Sequence, residues 1–187
     1  DGDWSSDVCS SDLVAFFEQV RDEGLTHAKV CAFGMTRRKA IDAAEDPGMQ
    51  ALVAAQTPVV TIVGKTWDLH VDEVLGVSRA ENLAMIRDSV AFCTQSGREV
   101  FYDAEHFFDG YEANPDYAAE TLVAAVEGGA TRLVLCDTNG GSLPERVGRV
   151  IDQVRAALAD AGHDAVRLGI HTHNDAGCAV ANSLVAV

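Results

Sequence analysis

The chain has 187 residues, of which 48% are hydrophobic and 23% charged, so it can bury the core of one globular domain. Its formal net charge of −15 repels a phosphate backbone, which argues against general nucleic-acid binding. No apolar run reaches the ~20 residues of a membrane span, and a cytoplasmic location is the default expectation. The five cysteines form no CxxC pair and are expected to be free thiols.

Residues 1–12 differ from the rest of the chain. They are rich in Ser and Asp, and they show no hydrophobic periodicity. We interpret them as a segment foreign to the domain or as a disordered terminus. The domain itself is therefore expected to occupy residues 13–187.

Five short apolar runs follow, and successive runs start about 30 to 40 residues apart. They predict strands at residues 28–33, 59–63, 100–102, 132–136 and 166–170. Because the runs are continuously apolar, they favour a parallel sheet that is covered on both faces. The segments between them have helical spacing, so strand and helix alternate along the chain.

Local signals predict where some of these helices begin and end. The Gly128–Gly129 pair is typical of a helix end. Two capping boxes and one Asn-Pro pair predict helix starts: Ser78 with Glu81, Asn114 with Pro115, and Ser142 with Glu145.

Alternating strands and helices leave two folds open, a doubly wound sheet and a (β/α)8 barrel. No G-x-G-x-x-G fingerprint follows a strand, as it would in a dinucleotide-binding sheet. Polar residues recur instead where the predicted strands end, and in a barrel these ends meet on one face. We therefore predict an α/β fold, a partial (β/α)8 TIM barrel with about five βα units, truncated at both ends.

The clearest candidate for metal binding is the segment Gly169–Asp175. His171 and His173 are two residues apart in a strand, so their imidazoles are expected to point to the same side. Imidazole suits Zn, Mn, Fe or Co, and a nearby carboxylate would broaden the choice towards Mg. The alternative is that one histidine is hydrogen-bonded in the core and the other lies in a loop.

Other polar side chains are expected at the same edge of the sheet. Asp103 and Glu105 share a strand face, where carboxylates can bind a substrate oxygen or transfer a proton; the alternative is a solvated loop. Lys65 ends another strand and could attract an anionic group or form a structural ion pair. The segment Cys136–Gly141 is rich in turn-forming residues, which by itself favours an ordinary strand-to-helix turn.

Taken together, the segments Cys136–Gly141 (CDTNGG) and His171–Asp175 (HTHND) resemble two strand ends of a known enzyme family. This family comprises the 2-isopropylmalate, citramalate and homocitrate synthases, and it shares its barrel with hydroxymethylglutaryl-CoA lyase. The segments Val63–Val71 and Asp103–Gly110 resemble the citramalate synthase branch more closely. The resemblance runs from about residue 13 to the end of the chain and matches strands 3 to 7 of the barrel.

The resemblance implies an acyltransferase that condenses acetyl-CoA, its co-substrate, with a 2-oxo acid, which is pyruvate in the citramalate branch. His171 and His173 match two ligands of a divalent metal, which is Mn, Mg, Zn or Co. Glu105 and Thr138 match catalytic positions that contact the oxo acid. The implied substrate-binding set is Asp103, Glu105, Thr138, Asn139 and Lys65. The implied assembly is a homodimer.

The chain also departs from the family pattern. It contains neither the family's Arg-Asp-Gly motif nor its asparagine-rich eighth-strand motif, so we expect this chain alone to be inactive. The alternatives are a 2-isopropylmalate or homocitrate synthase, an enzyme like hydroxymethylglutaryl-CoA lyase, and a non-catalytic metal-binding module. One substrate carbon is worth only ~1–3 kcal/mol of discrimination, so sequence is a poor guide to the oxo acid.

Overall fold

The computed structural model describes the backbone of residues 6–187 and the side chains from residue 15 onward. Helices and strands alternate along this part of the chain. The strands are β1 (Cys31–Met35), β2 (Val59–Lys65), β3 (Glu99–Glu105), β4 (Arg132–Asp137) and β5 (Arg167–Thr172). The helices are α1 (Ser6–Glu23), α2 (Pro47–Ala54), α3 (Asp68–His70, continued by a π-helical turn, Val71–Leu75), α4 (Arg79–Gln95), α5 (Phe107–Ala113), α6 (Pro115–Gly128), α7 (Pro144–Asp160) and α8 (Ala179–Val185).

Neighbouring strands pair in parallel, and their order in the sheet, β1-β2-β3-β4-β5, follows their order in the chain. A doubly wound sheet reverses its strand order at a switch point, and this sheet does not. The sheet is therefore an arc of a barrel, which confirms the predicted α/β partial barrel with five βα units. Within the described residues the sheet does not close, and β1 and β5 form its edges.

The hydrophobic core lies between the sheet and the helices. On the outer face of the sheet, alternate strand residues are fully buried against apolar residues of the helices: Val60, Ile62, Val100, Tyr102, Leu133 and Leu135 meet Ile86, Leu122 and Val154. Each large apolar side chain buried in this way contributes about 1.5–3 kcal/mol. The inner face is open along β1, where Phe33 is 62% exposed and Met35 is 56% exposed.

Two of the three predicted helix starts are confirmed. Ser78 Oγ accepts a hydrogen bond from the Glu81 N–H at 3.1 Å, and α4 begins at the next residue. Asn114 Oδ1 accepts from the Tyr117 N–H at 3.2 Å at the start of α6. The same helix ends at Gly128, as predicted, and the following Gly129 has a left-handed φ of 104°.

The third predicted helix start, at Ser142, is wrong. Helix α7 begins at Pro144, and the preceding Leu143 provides no side-chain cap. Ser142 Oγ donates instead to Asp137 Oδ1 at 2.9 Å, so this hydroxyl stabilises the loop after β4. Pro144 needs no cap for its own nitrogen, because proline has no N–H.

The N-terminal region also differs from expectation in one respect. The first strand begins at Cys31 and not at residue 28, because its register with β2 starts at the Cys31–Val59 pair. Of residues 1–12, residues 1–5 lie outside the described part of the chain, and the rest belong to the first turns of α1.

None of the described helices is long and apolar enough to cross a membrane.

Candidate metal and substrate site

The carboxyl ends of β2 to β5 lie at one edge of the sheet. Lys65 and Glu105 are paired in register at the ends of β2 and β3, and Asp137 and Thr172 are paired at the ends of β4 and β5. Sites of β/α barrels are built at this edge, because all parallel strands end there. The polar residues predicted at the strand ends therefore lie on one side of the molecule.

A group of possible metal ligands lies on the inner face of β3, β4 and β5. Asp103, Cys136 and His171 each place a donor atom within 4.8 Å of the others. Asp103 Oδ2 is 3.5 Å from His171 Nδ1, and Cys136 Sγ is 3.8 Å from the same nitrogen. Asp103 and Cys136 are buried, whereas the His171 side chain is half exposed. The imidazole thus lies between a buried acid and thiol on one side and open space on the other.

His173 lies beside this group. The ring centroids of His171 and His173 are 5.1 Å apart, so the structure brings the two predicted ligands together. His173 is exposed, and its backbone N–H donates to Asp137 O at 3.3 Å just beyond the end of β5. Two imidazoles close to a carboxylate form a donor set that fits Zn, Co or Mn. His171 and His173 are the residues that would hold such an ion, and this role stays a prediction.

Lys65 and Glu105 form an ion pair, with side-chain exposures of 15% and 27%. The backbone on both sides of the pair is also fixed. Thr66 Oγ1 donates to Glu105 O at 2.6 Å, and Asn82 Nδ2 donates to Lys65 O at 2.9 Å. Of the two alternatives for Lys65, the structure shows the ion pair, so an anionic substrate would have to compete with Glu105 for the ammonium group.

Thr138 and Asn139 connect the loop after β4 to the loop after β3. Thr138 Oγ1 accepts a hydrogen bond from the His106 backbone N–H at 2.8 Å. Asn139 Nδ2 donates to Asp109 Oδ2 at 2.8 Å, and this oxygen lies 3.3 Å from His106 Nδ1. Both predicted substrate-binding residues therefore lie at this edge with one side-chain hydrogen bond each, and the Thr138 hydroxyl keeps its own hydrogen to donate.

Asp137 has a structural role in the same segment. Its side chain is 2% exposed, and it accepts hydrogen bonds from the Ser142 N–H at 3.2 Å and the Ser142 hydroxyl at 2.9 Å. These bonds close the loop that carries Thr138 and Asn139. The loop also packs tightly on the next one, because a Cβ atom at Gly140 would lie 2.5 Å from Asp175 Oδ2.

Two histidines at this edge were not singled out from the sequence. His70, from α3, and His106 meet edge to face, with ring centroids 4.7 Å apart. Burial, followed by the charges of His106 and Lys65, lowers the pKa of His70. His106 has a left-handed φ of 52°, a costly backbone conformation that is concentrated at functional sites. The two rings come from different βα loops, so no sequence signal would have placed them together.

Cys136 was noted in the sequence only as an expected free thiol and as the first residue of the segment Cys136–Gly141. Burial, reinforced by the neighbouring Asp103 carboxylate, raises the pKa of the Cys136 thiol well above its ordinary range. The two-residue period of a strand was the signal that could have found it, because this period places Cys136 on the same face as Val134 and Thr138.

The fold and the site define a β/α-barrel protein whose possible metal ligands project from the carboxyl ends of its strands. The sequence matches the HMGL-like family over residues 5–187, and the chain belongs to that family. The match confirms the resemblance drawn from the strand-end motifs.

Curated relatives agree with this assignment, and a solved structure shares the fold. The (R)-citramalate synthase of Geobacter sulfurreducens is 52% identical over 93% of this chain and 32% of its own length. A 2-isopropylmalate synthase of Sediminispirochaeta smaragdinae is 32% identical over 91% of this chain and 33% of its own length. The HMG-CoA lyase structure from Brucella melitensis superposes with a TM-score of 0.67 at 19% identity, covering 90% of this chain and 57% of that chain, which shows the shared fold. The chain thus spans about a third of the length of these curated relatives.

Proposed function

We propose that the chain forms the metal- and 2-oxo-acid-binding part of an acyltransferase of the citramalate synthase type. The reaction joins the acetyl group of acetyl-CoA to pyruvate, and water then releases CoA. The observation that carries the proposal is that Glu105, Thr138, His171 and His173 all lie at the carboxyl edge of the sheet. The 52% identity to a citramalate synthase over 93% of the chain supports this choice of reaction.

Each side chain at this edge is suited to one part of the reaction. His171 and His173 would hold a divalent ion, which when bound supplies Lewis-acid polarisation of the ketone. Thr138 can donate its hydroxyl hydrogen to an oxygen of the oxo acid, because its oxygen already accepts from His106 N–H. Asn139 lies next to Thr138 and would contact the same substrate.

Glu105 is the group best placed to handle a proton. The acetyl methyl group loses one proton when its carbon attacks the ketone, and the new hydroxyl gains one. Glu105 is partly exposed at the strand end, and its carboxylate forms an ion pair with Lys65. A carboxylate fixed in this way can accept the methyl proton or hydrogen-bond the forming hydroxyl.

The test is an assay of CoA release by the protein encoded by the full open reading frame that contains this chain. The assay supplies acetyl-CoA, a divalent metal, and pyruvate, 2-oxoisovalerate or 2-oxoglutarate in turn, with a chelator control. Metal-dependent release with pyruvate foremost supports the proposal, and Glu105→Gln should abolish most of it. Glu120→Gln, an exposed acid on α6, is the matched control and should keep full activity. The absence of CoA release with all three oxo acids would contradict the proposed condensation reaction.

A 2-isopropylmalate synthase is the second candidate, since such an enzyme is 32% identical over 91% of the chain. Preference for 2-oxoisovalerate in the same assay would select it and would keep the fold and the mechanism. We also propose that the 187-residue chain alone is inactive, since its sequence lacks an Arg-Asp-Gly motif, and that the whole enzyme is a homodimer. Turnover by the chain alone, or a monomeric mass in light scattering, would contradict these two points.

A further inference from the structure

We propose that Asp103 is a positioning residue for His171, and not a direct substrate ligand as the family resemblance implied. Its carboxylate holds the proton of His171 on Nδ1 and so presents the Nε2 lone pair to a divalent ion. The inference deepens the proposed metal site and rests on it for the part that concerns metal affinity.

The surroundings of Asp103 show what its carboxylate needs. Asp103 is 6% exposed on the inner face of β3, and among the described residues no backbone N–H donates to its side chain. A buried carboxylate with few donors is costly. The polar atoms close to it are Cys136 Sγ, whose thiol is a weak donor to Asp103, and His171 Nδ1, which lies 3.5 Å from Oδ2. An imidazole with its hydrogen on Nδ1 adds a second and stronger donor.

This arrangement determines which nitrogen of His171 remains free. The two nitrogens of an imidazole point in diverging directions, so a ring whose Nδ1 faces the buried acid turns Nε2 away from it. The His171 side chain is 49% exposed, and His173 lies on the same open side, with its ring centroid 5.1 Å away. The hydrogen bond at one nitrogen decides which nitrogen binds a metal, and carboxylates commonly play this part for metal-binding histidines.

A competing arrangement uses the same atoms differently. An ion held by Nδ1 would take Asp103 and Cys136 as direct ligands, since the three donor atoms lie within 4.8 Å of one another. It would lie on the buried side of the ring, away from the substrate edge, and would require a thiolate. The two arrangements therefore make opposite predictions for Cys136.

The first measurement needs no metal. Nitrogen-15 NMR of the 187-residue chain should show neutral His171 with its hydrogen on Nδ1. Asp103→Ala should shift the ring towards the Nε2–H form, and Asp103→Asn, which keeps an acceptor oxygen, should restore part of the Nδ1–H form. An Nε2–H ring in the unsubstituted chain, or a tautomer that does not respond to Asp103→Ala, would overturn the inference. Asp116→Asn, an exposed acid on α6, is the matched control.

The second measurement is a titration of the same variants with Co²⁺. Asp103→Ala should weaken binding by about 10–100-fold, Asp103→Asn by less, and Cys136→Ala should not weaken it. A thiolate-to-cobalt absorption band that disappears in Cys136→Ala would overturn the inference in favour of direct ligation by Asp103 and Cys136. If the chain shows the Nδ1–H tautomer but binds no ion, the orientation by Asp103 stands and the proposed metal site fails. Circular dichroism and thermal unfolding establish that each variant is folded.

Discussion

Lys65 and Glu105 stand opposite each other in the register of β2 and β3, and their side chains form an ion pair at the carboxyl edge of the sheet. Each of these side chains is mostly buried, so neither can be fully hydrated if its partner is removed. The pair therefore couples the stability of the sheet to the residue proposed to handle the proton.

A double-mutant cycle should reveal this coupling. Lys65→Met leaves the Glu105 carboxylate without its partner, and we expect it to lower the free energy of unfolding by about 1–3 kcal/mol. Glu105→Gln in the Lys65→Met background should cost less than Glu105→Gln alone, because that background has no Lys65 ammonium group to leave unpaired. Urea unfolding of the four proteins measures the cycle. Strictly additive losses would show that the two side chains do not interact.

Close packing at Gly64 predicts a second pair of linked effects. A Cβ atom at this position would lie 2.7 Å from both Oη and Cε2 of Tyr102, whose side chain is fully buried. Gly64→Ala should therefore cost about 1–3 kcal/mol of unfolding free energy. Tyr102 Oη has no hydrogen-bond partner among the described residues, so Tyr102→Phe should be nearly neutral and should recover part of the Gly64→Ala loss. Gly141→Ala, where a Cβ meets nothing within 4 Å, is the control for thermal unfolding.

The lowered pKa of His70 predicts a loss of stability in acid. Because burial and then the nearby His106 disfavour its charged form, the folded protein binds this proton more weakly than the unfolded chain does. The unfolding free energy should therefore be highest above the ordinary pKa of 6.5 and should fall as the pH drops below it. His70→Gln should reduce this loss in unfolding curves measured from about pH 8 to about pH 5. His27→Gln, at an exposed histidine, should leave it unchanged.

The contact between Asp137 and Ser142 predicts how the loop after β4 is held. Ser142→Ala removes one hydrogen bond to a charged group and should cost about 1.5–3 kcal/mol. Asp137→Ala should cost more, because it also leaves the Ser142 N–H without its acceptor. Hydrogen exchange of the amides in residues 138–142 should rise in both variants. Unchanged exchange would show that other contacts hold the loop.

The features predicted correctly from the sequence depend on short stretches of chain. Ser78 and Asn114 cap their helices through bonds to residues three positions ahead, and the alternation of apolar runs with helical segments indicates the barrel. Ser142 fits the same local rule but fails it, because Leu143 precedes a proline and is extended, with a ψ of 153°, so the helix begins only at Pro144. The Ser142 hydroxyl donates instead to the buried Asp137, a contact that the capping pattern does not contain.

The contacts within the site depend on the register of separate strands. His171 lies in β5 and His173 directly follows that strand, so their proximity follows from the two-residue period of extended chain. Asp103, Cys136 and His171 meet across β3, β4 and β5, and continuously apolar strands do not specify their register by hydrophobic pattern alone. The pairing of Lys65 with Glu105 has the same origin, which is why the sequence left two alternatives for Lys65.

The matching order of strands in the sheet and in the chain has a consequence for biosynthesis. As the chain leaves the ribosome, each strand can pair at once with the strand made before it. In that case Glu105 and Asp103 are positioned in the sheet before His171 or His173 has been translated. Coordination of an ion by His171 and His173 would follow the translation of β5 and would favour the docked state of that strand by mass action. Metal uptake during translation would therefore indicate that β5 has docked.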